Sequence, residues 1–237
     1  TTHVVSCFGT VDWTCGPDEA LQVHAVGTRS VLTVLGELPS LQQALHVSSL
    51  LVLGRARGTV GNRELFVGQR FRNWYEYGKY TAEALVRESD LPIGVVRFGP
   101  ILGPDPRGGR PDVRHGLPAV IPHLLAGHPV HLRHRGDFPC WVSDVTSAAQ
   151  VALTALQTPI GRDTWTWFDP ATPTLREVFE RICRPWGRVP RIIDAPMLAT
   201  LTRMLDRRLG VPRELVDYDE PWFDLATTVL DQVPRPW

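Results

Sequence analysis

"ALHVSSLLVLG", residues 44–54, is a near-continuous run of apolar positions closed by glycine. A short apolar run of this kind reads as a strand buried on both faces, and strands of that type belong to parallel sheets covered by helices. The only polar interruption near its end is the pair Ser48 and Ser49. In a parallel sheet that places two hydroxyls at the carboxyl edge of a strand, where such sheets bind their ligands.

The flanking stretches extend the pattern in both directions. "HVVSCFG" (3–9) and "LPIGVVRFG" (91–99) are two more β-branched runs ending in glycine, each expected to be a strand. Between the first and second lies "GPDEALQVHAVGTRSVLTVLGEL" (16–38), with Pro17, Asp18 and Glu19 in its first turn and an apolar stripe behind them. This is the pattern of one long helix. A second helix is expected from about Trp74 to Glu88. Strands alternating with helices predict an α/β fold with a doubly wound parallel sheet.

After Pro100 the rhythm changes. "GPILGPDPRGGRPDVRHGLP" (99–118) is a Pro/Gly/Arg-rich connection of the kind that forms substrate lids. Beyond it the sequence predicts a helix near 117–127, a strand "VHLRH" (130–134), a helix from about Ser143, a strand "DTWTWFD" (163–169), and a helix opened by Thr174 with Glu177 in a capping box.

Composition removes several function classes. Basic and acidic residues number 25 each, so no net field draws the chain towards nucleic acid or an anionic membrane. No apolar run reaches the ~20 residues of a bilayer span, and no signal-peptide pattern opens the sequence, so a cytoplasmic protein is expected. The cysteines Cys7, Cys15, Cys140 and Cys183 form no C-x-x-C pair, and four free thiols suit a reducing compartment.

Of the 25 basic residues, Lys79 is the only lysine. It stands four positions after Tyr75 in "NWYEYGKYTAE" (73–83), so on a helix the phenol and the ammonium share a face. A neighbouring cation favours the phenolate, and the expectation is a lowered phenol pKa that makes Tyr75 a general acid or base. A compact ammonium can touch ribose hydroxyls beside a tyrosine where a planar guanidinium is too wide.

These segments together resemble the extended short-chain dehydrogenase/reductase family, the NAD-dependent epimerase/dehydratase superfamily. "THVVSCFGTVD" is similar to its fourth strand, "VHAVGTRSVL" to its N-x-x-G-T helix, "HVSSLLVLG" to its serine strand, "NWYEYGKYTAE" to its Y-x-x-x-K helix and "VVRFGPILGP" to its R-P-x-x-V-x-G-P turn. The later "WVSDVTSAAQVAL" resembles its V-x-D helix. "FVGQRFRNWYEYGKYTAEALVRE" and "EPWFDLATTVL" look most like the thioester-reductase and fatty-acyl-reductase branch.

The resemblance implies a Rossmann-like domain over residues 1–115, lacking its N-terminal βαβαβ half, and a smaller mixed α/β substrate part over 116–237 with some segments returning to the core. It implies Ser49, Tyr75 and Lys79 as catalytic residues: serine orienting the substrate oxygen, tyrosine exchanging the proton, lysine binding the nicotinamide ribose. It assigns Cys7, Phe8 and Gly9 to the adenosine side of an NADP or NAD cofactor, and Phe98, Gly99, Pro100 and Ile101 to its nicotinamide. The implied substrate is a small molecule or a carrier-bound acyl thioester, and a homodimer is open; the composition leads to no nucleic-acid or membrane partner being expected.

The sequence also departs from that family. The glycine-rich turn G-x-x-G-x-x-G is not in these residues, so cofactor binding is conditional on an N-terminal half. Gly54, Gly58 and Gly61 open no helix and are not that turn. A fragment, or a shortened paralogue acting as a cofactor-independent isomerase, cyclase or non-catalytic partner, both remain open, as does a nucleotide-sugar epimerase/dehydratase. His24 replaces the usual asparagine of N-x-x-G-T; either it serves the site, titrating near pH 6.5, or backbone or solvent satisfies it.

Other candidates are weaker. His115, His123, His128, His131 and His134 crowd one region with Arg107, Arg110, Arg114, Arg133 and Arg135. The H-x-x-H pair at 131 and 134 falls on opposite faces of an expected strand, so no metal site is expected, while the arginines could meet a substrate phosphate. Trp141, Trp165, Trp167, Trp186 and Trp222 read as packing or an acyl pocket. Asp144 reads as a helix cap, and Cys140 is reactive only if exposed.

Overall fold

The computed structural model describes residues 1–103, 116–132, 134–158, 160–169, 171, 173–194, 218, 220–221 and 224–226. Strand β1 (His3–Ser6) leads through a loop to α1 (Pro17–Ala20), a π-helical turn (Leu21–Val26) and α2 (Gly27–Gly36). The long helix expected over this stretch is therefore continuous but widened by one π turn in the middle.

The decisive run divides in two. Strand β2 (Gln43–Ser49) ends at the serine pair, and Leu50–Leu53 wind into a 3-10 turn capped by the Ser49 hydroxyl, which accepts from the Leu51 amide at 3.1 Å. The expected strand to residue 54 thus runs five residues too far. All four turn residues are buried, so their apolar character reflects burial of a turn that extended backbone was assumed to explain. Gly54 closes the turn at φ 49°, and a Cβ there would lie 2.5 Å from the Arg70 carbonyl oxygen, so both conformation and space require glycine.

After β3 (Thr59–Gly61) comes α3 (Trp74–Glu88), whose first turn is capped by Asn73 accepting from the Glu76 amide at 3.0 Å. Its inner face carries Tyr75, Lys79, Ala82, Glu83 and Val86, a stripe at helical spacing that includes two buried charges. Strands β4 (Ile93–Phe98) and β5 (Ile101–Leu102) follow.

Beyond the next described residue come a 3-10 turn (Leu117–Val120), α4 (Ile121–Leu125), β6 (Val130–Leu132), β7 (Ser143–Asp144), α5 (Val145–Gln157) and β8 (Thr164–Trp167). The last described elements are α6 (Leu175–Cys183), β9 (Ile192–Asp194) and β10 (Asp224–Ala226). Both expected caps are present: Asp144 accepts from the Ser147 amide at 2.8 Å, and Thr174 and Glu177 form a reciprocal capping box.

The main sheet has the order β1-β2-β4-β8 and every pairing in it is parallel. Alternation along the strands sends one set of side chains to each face. Ala44, Ile93 and Val95 pack with Leu35 of α2 and Val86 of α3, while Leu45, Val96, Phe98 and Trp167 pack with Ala148, Val151 and Ala155 of α5. The sheet is therefore doubly wound, as expected. Strand β8, from the C-terminal half of the sequence, completes it.

Arg97 of β4 points to the α3 face and meets Glu83 with both side chains fully buried. Its Nη2 donates to Glu83 Oε1 at 2.7 Å and its Nε to Oε2 at 3.0 Å; Ser48 donates to Oε2 at 2.7 Å and Arg87 to Oε1 at 2.7 Å. Burial raises the Glu83 pKa, but Arg97, Arg87 and the Ser48 hydroxyl together outweigh it and hold the carboxyl below its ordinary value. Breaking one side of such a pair leaves an unpaired buried charge. Glu83→Gln is expected to lose about 3–5 kcal/mol of unfolding free energy in urea titration, and Arg97→Met with Glu83→Leu to lose less than either single change.

Candidate active site

The carboxyl edge of β2 separates the two serines. Ser48 faces the buried Glu83, whereas Ser49 and Trp13 act on the Tyr75 phenol, each favouring its ionised form. Ser49 is register-paired with Phe98 of β4, so the turn after Phe98 lies beside it. Three residues expected from the sequence, Ser49, Tyr75 and Lys79, are thereby brought to one edge of the sheet, all buried.

The electrostatics correct one expectation. Burial pushes the Tyr75 phenol up to about 12, and the polar groups of Ser49 and Trp13 offset only part of that. The sequence put a cation next to a phenol but carried no measure of burial, and burial is the larger effect. Tyr75 is thus a protonated group at neutral pH, suited to donate a proton. Lys79 Nζ is directed to the Val47 carbonyl at 3.3 Å, and burial brings its pKa down to about 8.

His24 lies on the π turn, buried, with neither ring nitrogen partnered among the described residues. Its ring meets Tyr75 edge-on at 5.5 Å between centroids. Gly9 and Gly78 make room for it: a Cβ on Gly9 would lie 2.9 Å from His24 Cε1 and 3.4 Å from Lys79 Nζ, and one on Gly78 would lie 2.8 Å from His24 Cδ2. No described backbone group therefore satisfies this histidine, and it does not titrate near 6.5. Burial, reinforced by the Lys79 charge, lowers it to about 4.

Cys7 to Gly9 follow β1, with Cys7 exposed, Phe8 against Gly27 and Gly9 beside Lys79. Phe98 packs into the α5 face, so its side chain belongs to the core. Gly99 passes the Trp141 carbonyl so closely that a Cβ would lie 1.4 Å from its oxygen, and the Pro100 carbonyl accepts from the Ser143 amide at 3.0 Å. Ile101 opens β5, paired with Ser143 of β7.

The other candidates recede. Among the described residues no group of three or more potential ligands is placed to hold a metal ion. Strand β6 stops at Leu132 and His134 sits in a turn, so the expected alternation of His131 and His134 on one strand does not apply. His115, Arg107, Arg110, Arg114, Arg133 and Trp222 lie outside the described residues. Cys140 is buried and its thiol is pushed up to about 12, which makes it unreactive. Trp167 is core and Trp186 is exposed. No helix among the described residues is long and apolar enough to cross a membrane.

A second set of contacts has no signal in the sequence. Tyr218 donates to Glu76 Oε1 at 2.8 Å and accepts from Asn73 Nδ2 at 3.0 Å, Arg72 reaches Glu76 at 3.0 Å and Glu220 at 2.9 Å, and Trp13 packs on the Tyr218 ring at 4.3 Å. Tyr218 and Glu220 thus dock on the first turn of α3 and the residue before it. Trp13 lies in an irregular loop and Tyr218 stands far along the chain, so neither periodicity nor spacing connects them to Tyr75.

An NAD-binding family model, described as male sterility protein, matches residues 1–132, more than half of the chain. The chain belongs to that family. The matching structures include the reductase domain of the aureusimine biosynthetic cluster, 17% identical at a TM-score of 0.69, covering 95% of this chain and 61% of that one. The terminal R domain of the myxalamid PKS-NRPS pathway matches at 17% identity and a TM-score of 0.69, covering 90% of this chain and 54% of the other. UDP-glucuronic acid 4-epimerase from Bacillus cereus, solved with NAD, matches at 15% identity and a TM-score of 0.65, covering 81% and 62%. The chain therefore spans less than two thirds of each of these structures. No curated protein sequence matches it. These likenesses bear out the resemblance read from the sequence and the Rossmann-like α/β fold of the extended short-chain reductases.

The depressed histidines carry a pH signature. His24 falls to about 4 and His46, buried on β2, to about 3 by burial and the Lys79 charge. The unfolded chain binds these protons near pH 6.5 while the folded one does not, so stability is full above that value and declines as pH falls towards 4. The urea midpoint is expected to drop between pH 7 and pH 5, and His46→Gln to flatten that dependence.

Proposed function

We propose that the chain is the Ser/Tyr/Lys-bearing part of an NAD(P)-dependent reductase that acts on a carbonyl or an acyl thioester. The observation carrying this reading is the convergence of Ser49, Tyr75 and Lys79 at the carboxyl edge of a parallel sheet, with the phenol held in its proton-donating form. In this reading Ser49 and Tyr75 hold the substrate oxygen, and Tyr75 delivers the proton as negative charge develops there.

The residues present fit a nicotinamide cofactor. Lys79 keeps ammonium protons beyond the one directed to Val47, the orphaned His24 nitrogens lie beside it, and Gly9 leaves bare backbone next to both. We assign ribose binding to Lys79, the adenosine side to Cys7, Phe8 and Gly9, and the nicotinamide edge to Phe98, Gly99, Pro100 and Ile101. When bound, the cofactor supplies the hydride.

The reductase domains favour the acyl-thioester reading over a nucleotide-sugar one, since they cover 95% and 90% of this chain against 81% for the epimerase. The test measures NADPH binding and single-turnover oxidation with acyl-coenzyme A thioesters. Binding of NADPH and loss of turnover in Tyr75→Phe, with the fold retained, are expected. Full activity in Tyr75→Phe sinks the mechanism, and absence of NADPH binding in a chain that carries the G-x-x-G-x-x-G half favours the cofactor-independent alternative.

A further inference from the structure

Tyr75 is the second residue of α3, so the group assigned to proton donation stands in the first turn of a helix. That turn is the least secured part of a helix, because its leading N–H groups have no intrahelical acceptor. Lys79 and Glu83 lie further in, where the ion pair with Arg97 fixes the helix on the sheet. Tyr75 is two turns from that pair and needs a nearer anchor.

Tyr218 supplies it. Its ring is buried, with the Arg72 guanidinium 5.0 Å from its centroid and the Trp13 ring 4.3 Å away between centroids. Its hydroxyl donates to Glu76 Oε1 at 2.8 Å and accepts from Asn73 Nδ2 at 3.0 Å. Asn73 and Glu76 are the residues that close the first turn: Asn73 Oδ1 accepts from the Glu76 amide at 3.0 Å, and Glu76 Oε2 accepts from the Arg72 amide at 2.7 Å. Arg72 Nη1 reaches Glu76 Oε1 at 3.0 Å and the Gly54 carbonyl at 2.7 Å. One phenol oxygen from the C-terminal part of the sequence therefore joins the cap on one side of Tyr75 to the carboxylate on the other.

We propose that Tyr218 is a positioning residue for Tyr75, its hydroxyl bridging Asn73 and Glu76 so that the first turn of α3 keeps one height and one rotation. The inference rests on Tyr75 as the proton donor of the proposed reaction. A hydroxyl suits the place because it donates and accepts at once. Its proton answers the buried carboxylate, and its lone pair takes the Asn73 amide nitrogen, which leaves the Asn73 oxygen turned to the helix as the cap. Without it Glu76 keeps its bonds from Arg72, but the cap loses the contact that orients its amide. A buried network of this kind rigidifies when every member is matched. The backbone of this turn carries the Tyr75 phenol, and a displacement of about 1 Å at a reacting group can cost roughly 10²-fold in rate. Tyr218 acts through the helix backbone, so its effect falls on proton delivery and leaves Lys79, one turn further on, in place.

The test compares Tyr218→Phe with the parent in a chain that carries the G-x-x-G-x-x-G half, and reads amide hydrogen exchange, NADPH binding and turnover of an acyl-coenzyme A thioester. The Glu76 amide is expected to exchange about tenfold faster, the worth of one hydrogen bond, while the amides of Ala82 and Val86 are unchanged. The kcat should fall by about tenfold to a hundredfold with KM and the NADPH Kd unchanged, since the phenol moves and Lys79 does not. Val178→Ala, a truncation in the core of α6 that lowers stability away from this turn, should leave kcat as it was. If Tyr218→Phe fails to fold, Asn73→Ser takes its place: serine keeps a capping oxygen but has no amide nitrogen for Tyr218, and the same split between kcat and KM is expected. Unchanged exchange at Glu76, an unchanged kcat in an active enzyme, or an equal loss of kcat in Val178→Ala overturns the proposal. If no thioester is turned over at all, the functional reading fails while the exchange still decides whether Tyr218 holds the turn that carries Tyr75.

Discussion

A fully buried ion pair organises the molecule. Glu83 accepts from Nε and Nη2 of Arg97, from Nε and Nη2 of Arg87 and from the Ser48 hydroxyl, so a single carboxylate ties helix α3 to strands β2 and β4. Arg97 reaches further, donating to the Glu64 carbonyl at 2.7 Å and so anchoring the loop that precedes α3. Burying such charges is costly, and only near-complete pairing makes it tolerable. The helix therefore has one rotation and one height on the sheet at which Glu83 is satisfied. Tyr75 and Lys79 lie two turns and one turn earlier on the same face, and that rotation aims them at the edge beyond Ser49.

The same burial that demands pairing at Glu83 sets the chemistry at the edge. Within one helix, desolvation pushes Tyr75 towards its neutral form and Lys79 towards deprotonation, while Glu83 stays charged because Arg97 faces it. Three titratable groups on one stripe thus respond differently according to what lies opposite each. A phenol near 12 and an ammonium near 8 leave a site that stores a proton at neutral pH, and His24, held near 4, adds no competing charge.

The strand and helix alternation was legible because burial imposes a period on each element. The stripe Tyr75, Lys79, Ala82, Glu83, Val86 is visible in the sequence, as are the caps at Asp144 and Thr174. The end of β2 was misread because Leu50–Leu53 are as apolar in a buried turn as in a strand, and only the Ser49 cap distinguishes the two. The Tyr75 pKa was misread because spacing reports which charges are neighbours and says nothing of solvent. Trp13 and Tyr218 were invisible, since their link to Tyr75 runs through an irregular loop and a contact between distant parts of the chain.

The solitary lysine gains its reason from the comparison with Arg97. A buried guanidinium stays charged and presents five N–H donors, and Arg97 is tolerated because Glu83 and backbone carbonyls take them. At position 79 the acceptor in reach is the Val47 carbonyl at 3.3 Å. An arginine there would bury a permanent charge with most of its donors unanswered. An ammonium leaves fewer donors unmatched, and with a pKa near 8 it can shed its charge or keep it for a ligand that brings acceptors of its own. Position 79 therefore requires a cation whose charge is conditional, and lysine is the side chain that supplies one.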